Sequence, residues 1–167
     1  MFKLRKKAGK ADDFPAFYHA HERLIRGTLF HLVQKDDLDD LVQQTFIRCW
    51  ENRDQFEGRS KPGTWIVRIA MNLAHDHWRK NKAPLLGSVE HQEVAANVRF
   101  ENRQAIECAL SYLSFEHRSM IVLMYFNELT LEEISEATGD KVGTVKSRLH
   151  YARSELRRVL IKLGIKT

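Results

Sequence analysis

The chain has 167 residues, 43% hydrophobic and 29% charged, with a net charge of +5; this is room for one ordinary domain or two small ones. No apolar run reaches the ~18–20 residues a membrane helix needs, and no apolar stretch follows the basic start Met1–Lys10. A cytoplasmic protein without membrane contact of its own is therefore expected. Cys49 and Cys108 form no CxxC pair, and the histidine pairs His19/His21 and His75/His77 sit two residues apart. On a helix such pairs diverge, so neither a disulfide framework nor a metal or cofactor site is expected.

After a basic tail over residues 1–11, helical periodicity dominates and no alternating strand pattern appears, so the chain is predicted to be all-α. A first helix is predicted over Asp12–Val33. A second begins near Asp36, where Leu38, Leu41, Val42, Thr45, Phe46, Cys49 and Trp50 trace one helical stripe. Its start carries Asp36, Asp37, Asp39 and Asp40. The helix dipole favours carboxylates there, yet such a face would repel phosphate, so a protein is its expected partner. The segment Asn52–Lys61 is polar and contains Gly58. Pro62 suits the first turn of a third helix reaching about Lys82, with Trp65, Ile66, Ile69, Ala70 and Leu73 inward. Phe56 is expected to pack, and Trp78 is left unassigned.

Ala83-Pro84 ends that helix, and a polar linker is expected over residues 83–99. Further helices follow over Phe100–Leu113, Phe115–Phe126, Leu131–Thr138 and Val142–Leu163. The expected architecture is two small helical domains, residues 12–82 and 100–163, joined by a flexible linker. Thr130 with Glu133 forms a capping box, and Gly139 suits the left-handed turn after a helix. Residues 130–151 thus form a helix-turn-helix. Its second helix is expected to bury Val142, Val145, Leu149, Ala152 and Leu156, leaving Ser147, His150 and Tyr151 outward with Lys146 and Arg148 on the flanks. From 141 to 167 there are eight basic residues and one acid, Glu155, which points to DNA. Arg148 is expected to be the main base reader and Arg158 a phosphate contact.

At these residues the chain resembles a known family. Leu113–Leu156, above all Leu131-Glu132-Glu133-Ile134 with Val142–Leu149, resembles region 4 of the extracytoplasmic-function (ECF) sigma factors of the sigma-70 family. The resemblance implies contact with the polymerase flap and, through Thr144, Lys146, Ser147, Arg148, His150 and Tyr151, with the upstream promoter element. Asp37–Trp50 is similar to region 2.2, which docks on the clamp coiled coil of core RNA polymerase. Asp37, Asp40 and Gln43 match that pattern, and Gln44 stands where Glu is usual.

Phe56-Glu57-Gly58 and Thr64–Arg79 resemble regions 2.3 and 2.4, which open the downstream element and hold an unstacked base. Arg59, Lys61, Arg68, Arg79 and Lys80 would then face phosphate, with Asn72 on a base and Asp76 beside them. Pro62-Gly63 departs from the usual aromatic-basic pair, and Ser114 from the usual Leu-Pro. The implied function is promoter recognition for core polymerase, under control of an anti-sigma factor, and not enzymatic. A stand-alone helix-turn-helix regulator would leave the acidic helix without a use. A metal-dependent nuclease built on Asp36, Asp39, Asp40, His75 and His77 lacks any motif holding those groups together.

Overall fold

The computed structural model describes residues 14–81 and 102–165, and every regular element among them is helical. The tail expected over 1–11 and the linker expected over 83–99 lie outside the described residues. In chain order the helices are α1 (Phe14–Phe30), α2 (Lys35–Glu51), α3 (Pro62–Asn81), α4 (Asn102–Ser111), α5 (Phe115–Ile121), α6 (Leu131–Thr138) and α7 (Val142–Lys162).

Helices α1, α2 and α3 pack on one another as a three-helix group. The stripe expected on α2 is buried from Leu38 to Cys49, with Trp50 at its margin. Ile25, Leu29 and Leu32 meet Ile66 and Val67 in a core that excludes solvent from all five. Burying each such side chain contributes roughly 1.5–3 kcal/mol. Two threonines enter this core at little cost because each hydroxyl donates one turn back, Thr28 to the Leu24 carbonyl and Thr45 to that of Leu41, both at 2.7 Å. Cys49 lies here too, and burial pushes its thiol up to about 12, so it packs as a small hydrophobe.

Two helix ends differ most from expectation. Helix α1 ends at Phe30 rather than Val33, because the N–H groups of Leu32 and Val33 both turn back to the Leu29 carbonyl, at 2.9 and 3.0 Å. The helix expected to run to Phe126 leaves α geometry after Ile121 and continues as a five-residue π segment, Val122–Phe126. Its wider turn closes with the Asn127 N–H on the Val122 carbonyl at 3.0 Å. That turn delivers the Asn127 amide to Thr28 Oγ1 on α1, 2.6 Å away. Arg118 is a buried charge nearby: it donates to the carbonyls of Ser111 (3.0 Å) and Leu113 (3.1 Å), and burial lowers it to about 10.

The two helical groups pack together, α3 against α6 and the π segment against α1, and their buried residues form one cluster. Phe115 sits with its ring centroid 5.5 Å from His75 and 5.7 Å from Trp78, which gives Trp78 its place. His31 packs against Phe126 with tilted rings, centroids 4.0 Å apart, and its Nδ1 lies 3.1 Å from Glu107 Oε2. Its side chain is only 9% exposed. A double-mutant cycle of His31→Gln and Glu107→Gln in urea denaturation should give a coupling of about 1 kcal/mol. Strict additivity would mean that this contact does not help hold the groups together.

Candidate nucleic-acid and protein interfaces

The helix-turn-helix is assembled by local hydrogen bonds. Thr130 Oγ1 accepts from the Glu133 N–H at 3.2 Å, and Glu133 Oε2 accepts from the Thr130 N–H at 2.9 Å, which is the expected capping box. Gly139 caps the end of α6 at φ 78°, a conformation in which a side chain would be strained. Ser135 Oγ then donates to the Asp140 carbonyl (2.6 Å), and the Asp140 N–H donates to Thr138 Oγ1 (3.3 Å). Ile134 and Ala137 of α6 are buried, as are Val145, Leu149 and Ala152 of α7; Val142 and Leu156, expected inside, are half-buried.

That packing leaves Lys146, Ser147, His150 and Tyr151 exposed on the opposite face of α7. Tyr151 is 63% exposed and meets His150 edge-on at 5.6 Å. Thr144 is half-buried, and its carbonyl accepts from Ser147 Oγ at 3.0 Å. Arg148 is also half-buried, with its guanidinium on the Asp140 carboxylate. Glu155, the one acid of the basic stretch, has its Oε2 2.5 Å from His117 Nδ1 of α5. Its other oxygen lies 3.9 Å from Arg158 on α7 itself, and the exposed side of α7 remains cationic through Lys146, Arg153, Arg157, Arg158 and Lys162.

On α3, Arg68, Asn72, Asp76, Arg79 and Lys80 recur at helical spacing along one side; all but half-buried Asp76 are exposed, and Arg79 pairs with Asp76 at 3.2 Å. Arg59 in the preceding loop pairs with Glu57 at 3.0 Å. Lys61 reaches the other helical group, with its Nζ 2.7 Å from Glu133 Oε1. Lys61 and the Thr130 N–H together hold the Glu133 carboxyl below its usual range, and the same contact raises Lys61. Phe56 packs on Trp65 at 5.1 Å, as expected.

On α2, Asp40, Gln43 and Gln44 are exposed, and Asp37 is half-buried with its Oδ2 3.0 Å from His77 Nε2 of α3. Asp39 pairs with Arg26 at 2.5 Å. Among the described residues Asp36 and Asp40 have no ion-pair partner. Beside them runs an apolar groove of about 950 Å³ between α1 and α2, walled by Phe14, Tyr18, Phe46, Ile47 and Trp50, with Gln43 at its edge. Sequence reasoning missed the groove. Its one signal was Ile47, a β-branched apolar residue off the buried stripe, here 48% exposed. Each group of sequence-predicted residues is thus gathered on its own helix or loop. Among the described residues, Asp37 also contacts His77 of α3 and Lys61 contacts Glu133 of α6.

Comparison with known proteins identifies the family. Residues 17–83 match the family described as Sigma-70 region 2, and residues 103–156 match Sigma-70, region 4. The chain is 32% identical to the ECF RNA polymerase sigma factor SigW of Bacillus subtilis, over 96% of this chain and 97% of that protein. It is 33% identical to the ECF RNA polymerase sigma factor SigL of Mycobacterium tuberculosis, over 76% of each. Among solved structures it resembles the sigma factor RpoE from Bartonella quintana, determined in complex with the anti-sigma factor NepR. That match has a TM-score of 0.73 and 28% identity, covering 90% of this chain and 98% of that one.

The capping box sets where α6 begins, so its loss should be felt in stability. Thr130→Ala should cost about 1 kcal/mol in urea denaturation, with Thr130→Ser close to neutral. Equal stability for the alanine variant would show that the Thr130 hydroxyl bond contributes nothing.

Proposed function

The chain belongs to the ECF sigma factors of the sigma-70 family, and on that premise we propose that it docks on core RNA polymerase through α2 and reads promoters with two separate DNA surfaces. The observation that carries this reading is the segregation of charge. An acidic face with an apolar groove lies on α1 and α2, while cations line the loop before α3, α3 itself and α7. A regulator acting alone on DNA has no use for the first face. Sigma factors are initiation factors rather than enzymes, and every step proposed is binding or strand separation.

Docking uses Asp37, Asp40, Gln43 and Gln44 against the clamp coiled coil, with region 4 on the flap. His77 orients Asp37, while Asp40 has no ion-pair partner among the described residues and is open to a cation of the partner. The upstream element is read by α7 in the major groove, where Lys146, Ser147, His150 and Tyr151 present donors and an aromatic edge, with Thr144 and Arg148 behind them. At the downstream element Arg59, Lys61, Arg68, Arg79 and Lys80 neutralise phosphate, Asn72 contacts an extruded base, and Asp76 holds Arg79. Extruding one base costs a few kcal/mol, which contacts to the freed strand offset. Lys61 must first leave Glu133, an exchange made easy by its exposure.

The division into region 2 (12–82), linker (83–99) and region 4 (100–163) follows the family. An anti-sigma factor is the remaining partner, supported by the NepR complex of the Bartonella relative. A cytoplasmic site of action follows from the polymerase partner, and no described helix is long and apolar enough to cross a membrane.

Charge reversal at Asp37 and Asp40 together should weaken core-polymerase binding at least tenfold, with circular dichroism and melting temperature nearly unchanged. Normal binding by that variant would remove α2 from the docking surface. Arg158→Ala, well along α7 from the turn, should lower promoter affinity for all sequences alike and reduce the slope of log K against log salt by about one. A change in base preference would contradict its role as a phosphate contact.

A further inference from the structure

Among the basic residues of α7, Arg148 alone is half-buried; Lys146, Arg153, Arg157, Arg158 and Lys162 are exposed. Its Nη1 donates to Oδ2 of Asp140, eight residues earlier and across the turn. Asp140 is itself tied to α6 by two bonds, its carbonyl accepting from Ser135 Oγ at 2.6 Å and its N–H donating to Thr138 Oγ1 at 3.3 Å. Its side chain is 23% exposed. The contacts form a continuous chain from α6, through the turn, to the second turn of α7.

A bidentate contact with guanine needs both arms of the guanidinium fork. Here one arm already lies on a carboxylate whose main chain is bonded to α6 on both its N–H and its carbonyl, so the guanidinium is directed toward the turn. This departs from the expectation that Arg148 is the main base reader. We propose instead that Asp140 is a positioning residue, holding Arg148 as a strut that sets the tilt of α7 on α6, while base discrimination falls to Lys146, Ser147, His150 and Tyr151. The proposal rests on the assignment of α7 to the upstream element, and its consequences differ from those of that assignment. A reader acts on its own one or two base pairs. A strut moves every outward side chain together, so its loss blurs all positions at once.

The test uses the full chain with core polymerase, selecting bound DNA from a pool randomised across the upstream element. For each position the ratio of best to worst base is compared between variants. Asp140→Asn and Arg148→Ala should each lower that ratio about two- to fivefold at every position, the range expected for a partly exposed ion pair. The double variant should do no more than either single one, and Asp140→Glu should restore part of the contrast. A simple loss of folded protein would scale all binding equally and leave the ratios untouched. If Arg148→Ala erases preference at one or two base pairs and leaves the rest sharp, Arg148 is a reader and the proposal fails. It fails equally if Asp140→Asn leaves every ratio unchanged. Should His150→Ala and Tyr151→Ala also change nothing, the assignment of α7 to the upstream element falls, and the strut with it.

Discussion

An amphipathic helix has one face to bury, and what it can offer a partner is limited to the side chains on the other. The three long helices that carry function here all meet that constraint. Helix α2 buries Leu38 through Cys49 and leaves Asp40, Gln43 and Gln44 outward. Helix α3 buries Ile66, Val67, Ala70, Met71, Leu73 and Ala74, which puts Arg68, Asn72 and Lys80 in solvent. Helix α7 does the same with Val145, Leu149 and Ala152 against Lys146, His150 and Tyr151. The core therefore decides which residues each helix can offer to the proposed partners, and substitutions on those faces are largely separable from those that matter for folding.

The borders between these faces are where single side chains take two roles. Glu133 caps α6 through the Thr130 N–H and holds Lys61 from the other helical group. Its carboxyl stays ionised because both contacts favour the charged form. His77 belongs to α3 yet meets Asp37, the proposed docking carboxylate on α2. Under the proposed reading, promoter engagement exchanges the Lys61–Glu133 contact for phosphate, so DNA binding by region 2 and the pairing of the two groups would draw on the same cation. The packing of Phe115 on Trp78 and of His31 on Phe126 carries no such conflict, since none of these side chains belongs to the proposed DNA surfaces.

What could be read in advance was what repeats along the chain. The α2 stripe, the Thr130–Glu133 box and the glycine after α6 are local patterns, and each appears where its spacing places it. Periodicity could not announce the π segment at Val122–Phe126, because the extra residue in that turn answers to Asn127 reaching Thr28, ninety-nine residues away in the chain. The groove between α1 and α2 needs the relative placement of two helices, so Ile47 by itself only hinted at it. Arg148 looked like a free donor because its partner Asp140 sits in the turn, outside any helical spacing rule. These features share a cause: each depends on a contact between elements, which residue order alone does not encode.

The central claim is that this chain gives core RNA polymerase its promoter choice through two DNA surfaces on one protein. The most direct measurement is transcription by purified core polymerase with the full chain across a randomised promoter library, scored by the sequences that yield transcripts. The account predicts transcripts that require the chain and share two separated sequence elements, with strand opening confined to the downstream one. Sequence-specific DNA binding without polymerase, together with no chain-dependent transcript from any member of the library, would contradict it.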